Sequence, residues 1–295
     1  MRHAAVTTAI WILISIVVTV LIVFCVPPIN YEAGVTYHVA AVERTTPMPY
    51  AARMLVPLAI NVFVSTSDTV GIIKLTMGLT AYTVIAALVL LHAWLKGWGR
   101  AAWLGVILAM AMIVLMFRWM IYSVNTPLEV CLIMAGLLLL RSTSRYRYRL
   151  YAVLVVMACL NRETGVYLVA IYALYEGFMR PHWLRTIAYG LIAVMVVVIM
   201  RSVFWTANYW IDFNLLTLNT HPGYFPTAVL SNIPFLLVFS LALVRFRRAE
   251  PVLRRLMLFV ALNYAAFLIW GSWQEVRLLM PALYVSMAII IGDAD

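Results

Sequence analysis

"LNRETGVY", residues 160–167, decides how this chain is folded. It sets Arg162 and Glu163 side by side between two apolar runs, "YAVLVVMACL" before and "VYLVAIYALY" after. Read straight through, residues 150–178 make one long helix. Read as broken at "NRETG", they make two short helices that return the chain to the side it came from. Every later loop changes side with that choice, so the whole topology turns on it.

The solvent around this stretch follows from composition. Of 295 residues, 65% are hydrophobic and 11% charged, and the mean hydropathy is +0.99. Soluble domains carry about 25% charged residues, so the chain reads as a polytopic, all-α integral membrane protein. The formal net charge of +10 does not point to nucleic acid, because the basic residues sit in short runs between apolar stretches, as in cytoplasmic loops. Cys25, Cys131 and Cys159 all fall inside apolar runs without paired ligand spacing, and read as packing residues. The basic, apolar N-terminus resembles a signal peptide. Its apolar run over residues 9–26 is long enough to span, however, and no small-x-small cleavage site follows, so it reads as an uncleaved first span.

The apolar runs place ten spans, near residues 9–26, 69–95, 102–122, 128–140, 150–160, 166–178, 186–204, 228–244, 256–270 and 278–291. Several are shorter than the ~17 residues a spanning helix needs, so some helices extend into polar flanks or stop partway against protein. With no repeat or linker, residues 1–295 read as a single membrane domain with a long first external loop at 27–68.

Charge then chooses between the two readings of "NRETG". In the broken version one side receives Arg2, Lys96, Arg100, Arg141, Arg145, Arg147, Arg149, Arg180, Arg185, Arg245, Arg247, Arg248, Arg254 and Arg255, fourteen of the 21 Lys and Arg. That side is cytoplasmic by the positive-inside rule. The unbroken version would put "RFRRAEPVLRR" outside, so the broken one is preferred and both termini lie in the cytoplasm.

This topology brings four polar stretches to the external side: residues 27–68, "VNTPLEV" at 124–130, "NRET", and "GSWQEVR" at 271–277. Ionisable groups at membrane depth are costly unless paired or wet, and mark function by default. Arg162 with Glu163, and Glu275 with Arg277, also read as pairs that hold short helices together. Arginine dominates outside, as Arg44, Arg53, Arg118, Arg162, Arg201 and Arg277 against Lys74 alone. A guanidinium fork matches phosphate or carboxylate oxygens at two points. Arg118 and Arg201 sit about a turn inside the outer ends of their spans, a depth that suits either snorkelling or a lipid phosphate.

Glu32 and Glu43 lie eleven residues apart in the first loop, one face of a helix if a helix forms there; Gly34, Val35 and Thr36 weaken it. A carboxylate here is a candidate general base toward an acceptor hydroxyl. His38 between them raises a metal question, but the spacing Glu-x5-His-x4-Glu is no established ligand set, and no metal or other cofactor is called for. Glu129 and Asp212 read as helix-cap or loop residues. The aromatics of residues 201–225 read mostly as interfacial belt.

Together these residues resemble a family, the GT-C superfamily of polytopic glycosyltransferases, particularly its small bacterial members. The resemblance rests on "NYEAGVTYHV" with Glu32, "YAARMLVPLA" with Arg53 and Pro57, "LNRETGVYL" with Arg162 and Glu163, and "WQEVRLLMPAL" with Glu275, Arg277 and Pro281. It implies a bacterial cytoplasmic-membrane enzyme that transfers a sugar from a polyprenyl-phosphate donor to a glycan, lipid or protein acceptor on the external face, with inversion. Glu32 would be the catalytic acid-base residue, with Glu43 in reserve. Arg53, Arg162 and Arg277 would steady the donor phosphate. The chain departs from many members in having one Glu where they carry an Asp-containing pair, and in lacking a soluble C-terminal domain. A polysaccharide polymerase or ligase is the near neighbour of this reading. A transporter or flippase, for which broken helices and buried charges are equally natural, is the reading from another class.

Overall fold

The structure is a computed structural model and describes residues 2–24, 35–36, 38–40, 42–43, 55–98, 101–120, 124–177, 179, 182–203, 225–270 and 276–292. The fold is all-α. In chain order the helices are α1 (Arg2–Phe24), α2 (Leu55–Asn61), α3 (Thr69–Leu95), α4 (Ala101–Met120), α5 (Asn125–Arg141), α6 (Arg147–Asn161), α7 (Tyr167–Glu176), α8 (His182–Val203), α9 (Phe225–Arg245), α10 (Pro251–Trp270) and α11 (Met280–Ile291). Single 3-10 turns sit at Lys96–Trp98, Glu163–Val166 and Val276–Leu279.

These helices follow the apolar runs, and several end at a polar or glycine stop, as α2 does at Asn61, α5 at Arg141 and α10 before Gly271. Asp68 caps α3, its carboxylate accepting from the Gly71 amide at 2.9 Å. Several helices begin earlier than their apolar runs: α1 at Arg2, α8 at His182, α9 at Phe225 and α10 at Pro251, and α5 as well. "VNTP" reads as loop, yet Asn125, Thr126 and Pro127 form the first turn of α5, where the missing N–H of a proline breaks no helical bond.

Helices α3, α8 and α10 are long and apolar enough to cross a membrane. α8 makes the environment plain. Of its 22 residues only Tyr189 and Ala193 are buried, while Leu184, Leu191, Val194 and Val198 stand outward. An apolar surface of that extent is stable against lipid and not against water. The opposite case is α11, which buries nearly every side chain from Met280 to Ile291 and packs against α4, α5, α9 and α10.

The stretch "NRETG" is broken. Arg162 has an extended backbone, φ −159° and ψ 154°, which stops α6 before the 3-10 turn leads into α7. The two helices run antiparallel. Arg147 at the start of α6 meets Glu176 at the end of α7 at 3.6 Å, the Tyr151 and Tyr172 rings lie 5.4 Å apart, and Tyr151 donates to the Leu168 carbonyl at 2.8 Å. At the tip Gly165 sits against the backbone of Ala158 and Cys159.

The hairpin is short. At 1.5 Å per residue, α6 is roughly 22 Å long and α7 roughly 15 Å, against a hydrocarbon core of about 30 Å. Its neighbours run on past it. α3 and α5 are parallel, with the Cys131 thiol on the Thr83 carbonyl at 3.0 Å and Arg141 on the Trp94 carbonyl at 2.5 Å. That register puts Asn125 level with the third turn of α3. On α10, Phe259 meets the Tyr167 ring at 5.4 Å, and α10 continues to Trp270. The tip therefore lies about 10 Å inside the ends of α3 and α10.

Candidate functional site

What the hairpin tip holds is a buried ion pair, and its partner is not the sequence neighbour. Arg162 Nη1 lies 3.3 Å from Glu129 Oε2, with side chains 7% and 5% exposed. Sequence adjacency pairs Arg162 with Glu163, but the extended backbone at Arg162 turns the guanidinium across to the first turns of α5. Glu129 is accordingly neither a cap nor a loop residue; it is the counter-ion of Arg162.

The pair is hydrogen-bonded on both sides. Arg162 Nη1 also donates to Thr126 Oγ1 at 3.2 Å, and the Thr164 hydroxyl donates to the other carboxylate oxygen of Glu129. Next to it the Asn161 amide donates to the Asn125 carbonyl at 2.8 Å. Tyr167 faces the charges of both Glu129 and Arg162 and lies in polar contact with Asn263 of α10. A buried ion pair persists only when its remaining groups are satisfied in this way.

Satisfaction is incomplete, however. Arg162 Nε, Asn125 Oδ1, Asn161 Oδ1 and Asn263 Oδ1 are buried without hydrogen-bond partners. Each such group costs roughly 1–3 kcal/mol, and their clustering at one depth makes this end of the bundle the candidate site. All hydrogen bonds of the guanidinium to described residues use Nη1. Among the described residues the edge formed by the buried Nε and Nη2 has no hydrogen-bond partner, and that edge is one of the two on which arginine grips a phosphate or carboxylate bidentately.

Over this end of the bundle lies a small second core. Val56 and Ile60 of α2 pack with Ile72 and Val124, and Val35 and Val39 of the first loop join them. α2 also touches α6. The described residues of this part of the loop, 35–36, 38–40 and 42, are helical despite the β-branched pair. Glu43 follows it, exposed, its amide on the Val39 carbonyl at 2.9 Å.

His38 is 4% exposed with both ring nitrogens unpartnered, and burial lowers its pKa below the ordinary value of 6.5. The unfolded segment therefore binds a proton more readily than the folded one, and stability rises with pH across the window below about 6.5. Acidification through that window loosens this helix. Amide exchange over residues 38–43 is expected to speed up between pH 7.5 and pH 5.5, and His38→Phe to abolish the change; equal rates in the wild type at both pH values would contradict it.

The other sequence candidates are placed as follows. Arg201 lies in the last turn of α8, half-buried. Glu163 opens the 3-10 turn at the tip, half-buried. Arg118 belongs to α4 and Arg277 to the 3-10 turn Val276–Leu279, with their side chains outside the described set. Glu32, Arg53 and Glu275 lie outside the described residues. Of the residues gathered at the tip, sequence reasoning named Arg162 as a candidate, and it did not single out Asn161, Tyr167 or Asn263, nor Glu129 as the partner of Arg162. The available signal was Glu129 itself, a lone acid one turn into an apolar helix at the same end as Arg162.

Among known proteins, no family model, no curated protein and no solved structure matches the chain. The findings establish a mostly helical protein with several apolar helices of membrane-crossing length. Among the described residues no three or more His, Cys, Asp or Glu side chains group as a metal site.

Proposed function

We propose that the chain is a membrane-embedded glycosyltransferase, similar to the GT-C superfamily, that takes a sugar from a polyprenyl-phosphate donor and passes it to an acceptor on the side opposite the basic loops. One observation carries the reading: the open Nε–Nη2 edge of Arg162, 6% exposed, set about 10 Å inside the end of the bundle. A lipid-linked phosphate arrives at that depth from the membrane, and a fixed guanidinium suits a developing phosphate leaving group. Glu32, or Glu43 in its place, would take the proton from the acceptor hydroxyl. Arg53 and Arg277 would share the phosphate, with Arg118 and Arg201 nearer the lipid. On the ten-span reading of the sequence, fourteen of 21 Lys and Arg belong to the other side, which supports cytoplasmic termini and an external site.

The test is Arg162→Lys, which keeps the charge for Glu129 but removes the two-point edge. Transfer from a lipid-linked donor in reconstituted vesicles is expected to fall roughly ten- to a hundredfold in kcat/KM. Unchanged transfer removes Arg162 from the reaction. Movement of the lipid-linked sugar across the vesicle membrane without transfer supports a flippase instead.

A further inference from the structure

We propose that Glu129 weakens the grip of Arg162 on its anion, so that the ligand is held loosely enough to leave. This rests on the reading of Arg162 as a phosphate seat. Its substance is a role for a residue outside the resemblance: Glu129 sets the affinity of the site and takes no part in proton transfer.

Glu129 Oε2 sits on Nη1 at 3.3 Å, and Thr126 shares the same nitrogen at 3.2 Å. A phosphate on the Nε–Nη2 edge therefore does not need to displace Glu129. The anion and the carboxylate bind opposite sides of one guanidinium, separated by about its width. At that separation and at the intermediate effective dielectric of protein sites, two negative charges repel by enough to change affinity at least tenfold. Both carboxylate oxygens are tied, one by Arg162 and one by Thr164, so Glu129 cannot swing away to relieve the repulsion.

The empty site needs this carboxylate for the opposite reason. A guanidinium buried in a bundle surrounded by lipid requires a counter-ion, and Glu129 supplies it when no ligand is present. The same charge that stabilises the empty protein opposes the bound anion. A transferase whose spent carrier phosphate must be released benefits from that opposition, because product release often limits turnover.

Glu129→Gln separates the two effects, since glutamine keeps an acceptor for Nη1 and loses the charge, its amide nitrogen donating to the Thr164 hydroxyl where the second carboxylate oxygen accepts. The probe is decyl phosphate, titrated into the full chain in nanodiscs while the thermal midpoint is followed. Wild type is expected to gain stability saturably, and Arg162→Lys to lose most of that gain. Glu129→Gln is expected to start from a lower midpoint, and to bind the probe at least tenfold more tightly, about 1.4 kcal/mol. Glu129→Asp, which folds with its charge retained, should stay close to wild type. With lipid-linked sugar as substrate, Glu129→Gln should lower KM and lower kcat together.

Outcomes that fail are distinct. If neither wild type nor any variant responds to decyl phosphate, the phosphate-seat reading itself falls. If wild type responds and Arg162→Lys does not, but Glu129→Gln binds no more tightly than wild type, the seat stands and the role of Glu129 is overturned. If Glu129→Gln does not fold, the double variant Glu129→Gln/Arg162→Lys decides: probe affinity no tighter than that of Arg162→Lys alone overturns the role, and tighter affinity supports it.

Discussion

Gly165→Ala is expected to destabilise the protein by about 4 kcal/mol or more, a drop of roughly 10 °C in thermal midpoint in detergent. A Cβ at this position would lie 2.3 Å from the Ala158 carbonyl carbon and 2.3 Å from the Cys159 amide nitrogen. Both are backbone atoms of α6, so no rotamer change relieves the clash. The hairpin would have to open, and with it would go the tilted ring contact of Tyr151 with Tyr172 and the depth at which Arg162 is held. Gly78 of α3 is the control, because an added Cβ there meets nothing within 4 Å. Gly78→Ala should be neutral or slightly stabilising through helix propensity. Equal midpoints for the two variants would mean that α6 and α7 do not fold back on each other.

The second large effect concerns the ion pair. Glu129→Ala and Arg162→Ala are each expected to cost about 3–5 kcal/mol, since either leaves a charge buried without its partner. The double variant should cost clearly less than the sum, because no orphaned charge is left. A thermal double-mutant cycle in nanodiscs measures the coupling, expected at roughly 1–3 kcal/mol. Strict additivity would show that the two groups do not interact. Glu163→Ala is the comparison that matters for the assignment: half-buried and not the ion-pair partner of Arg162, it should show far weaker coupling to Arg162.

Most of the helical layout is legible in the sequence, for a physical reason. In lipid each helix must satisfy its own backbone, so an apolar run and its polar stops coincide with the element. α3 begins and ends where its apolar run does, at Thr69 and Leu95. The break at "NRETG" is legible as well, because charge asymmetry between loops constrains parity more tightly than local propensity does. The partner of Arg162 is not. Glu129 lies 33 residues away in sequence, and the contact depends on a backbone turn at Arg162 and on the packing of α5 against α6. A sequence shows which charges are inside the membrane; it does not show which face each one takes. The same limit applies to Asn263 and Tyr167, ordinary residues of apolar helices until α10 and α7 are set side by side.

The burial of α11 has a consequence for how the protein is made. This helix follows every other described helix in the chain, yet it forms the axis that α4, α5, α9 and α10 pack around. While residues 280–291 are still within the ribosome, α4, α5 and α9 have already left it with the faces that α11 covers unmatched. The inner faces of those helices are matched only when α11 inserts among them, so closure of this bundle comes late in synthesis.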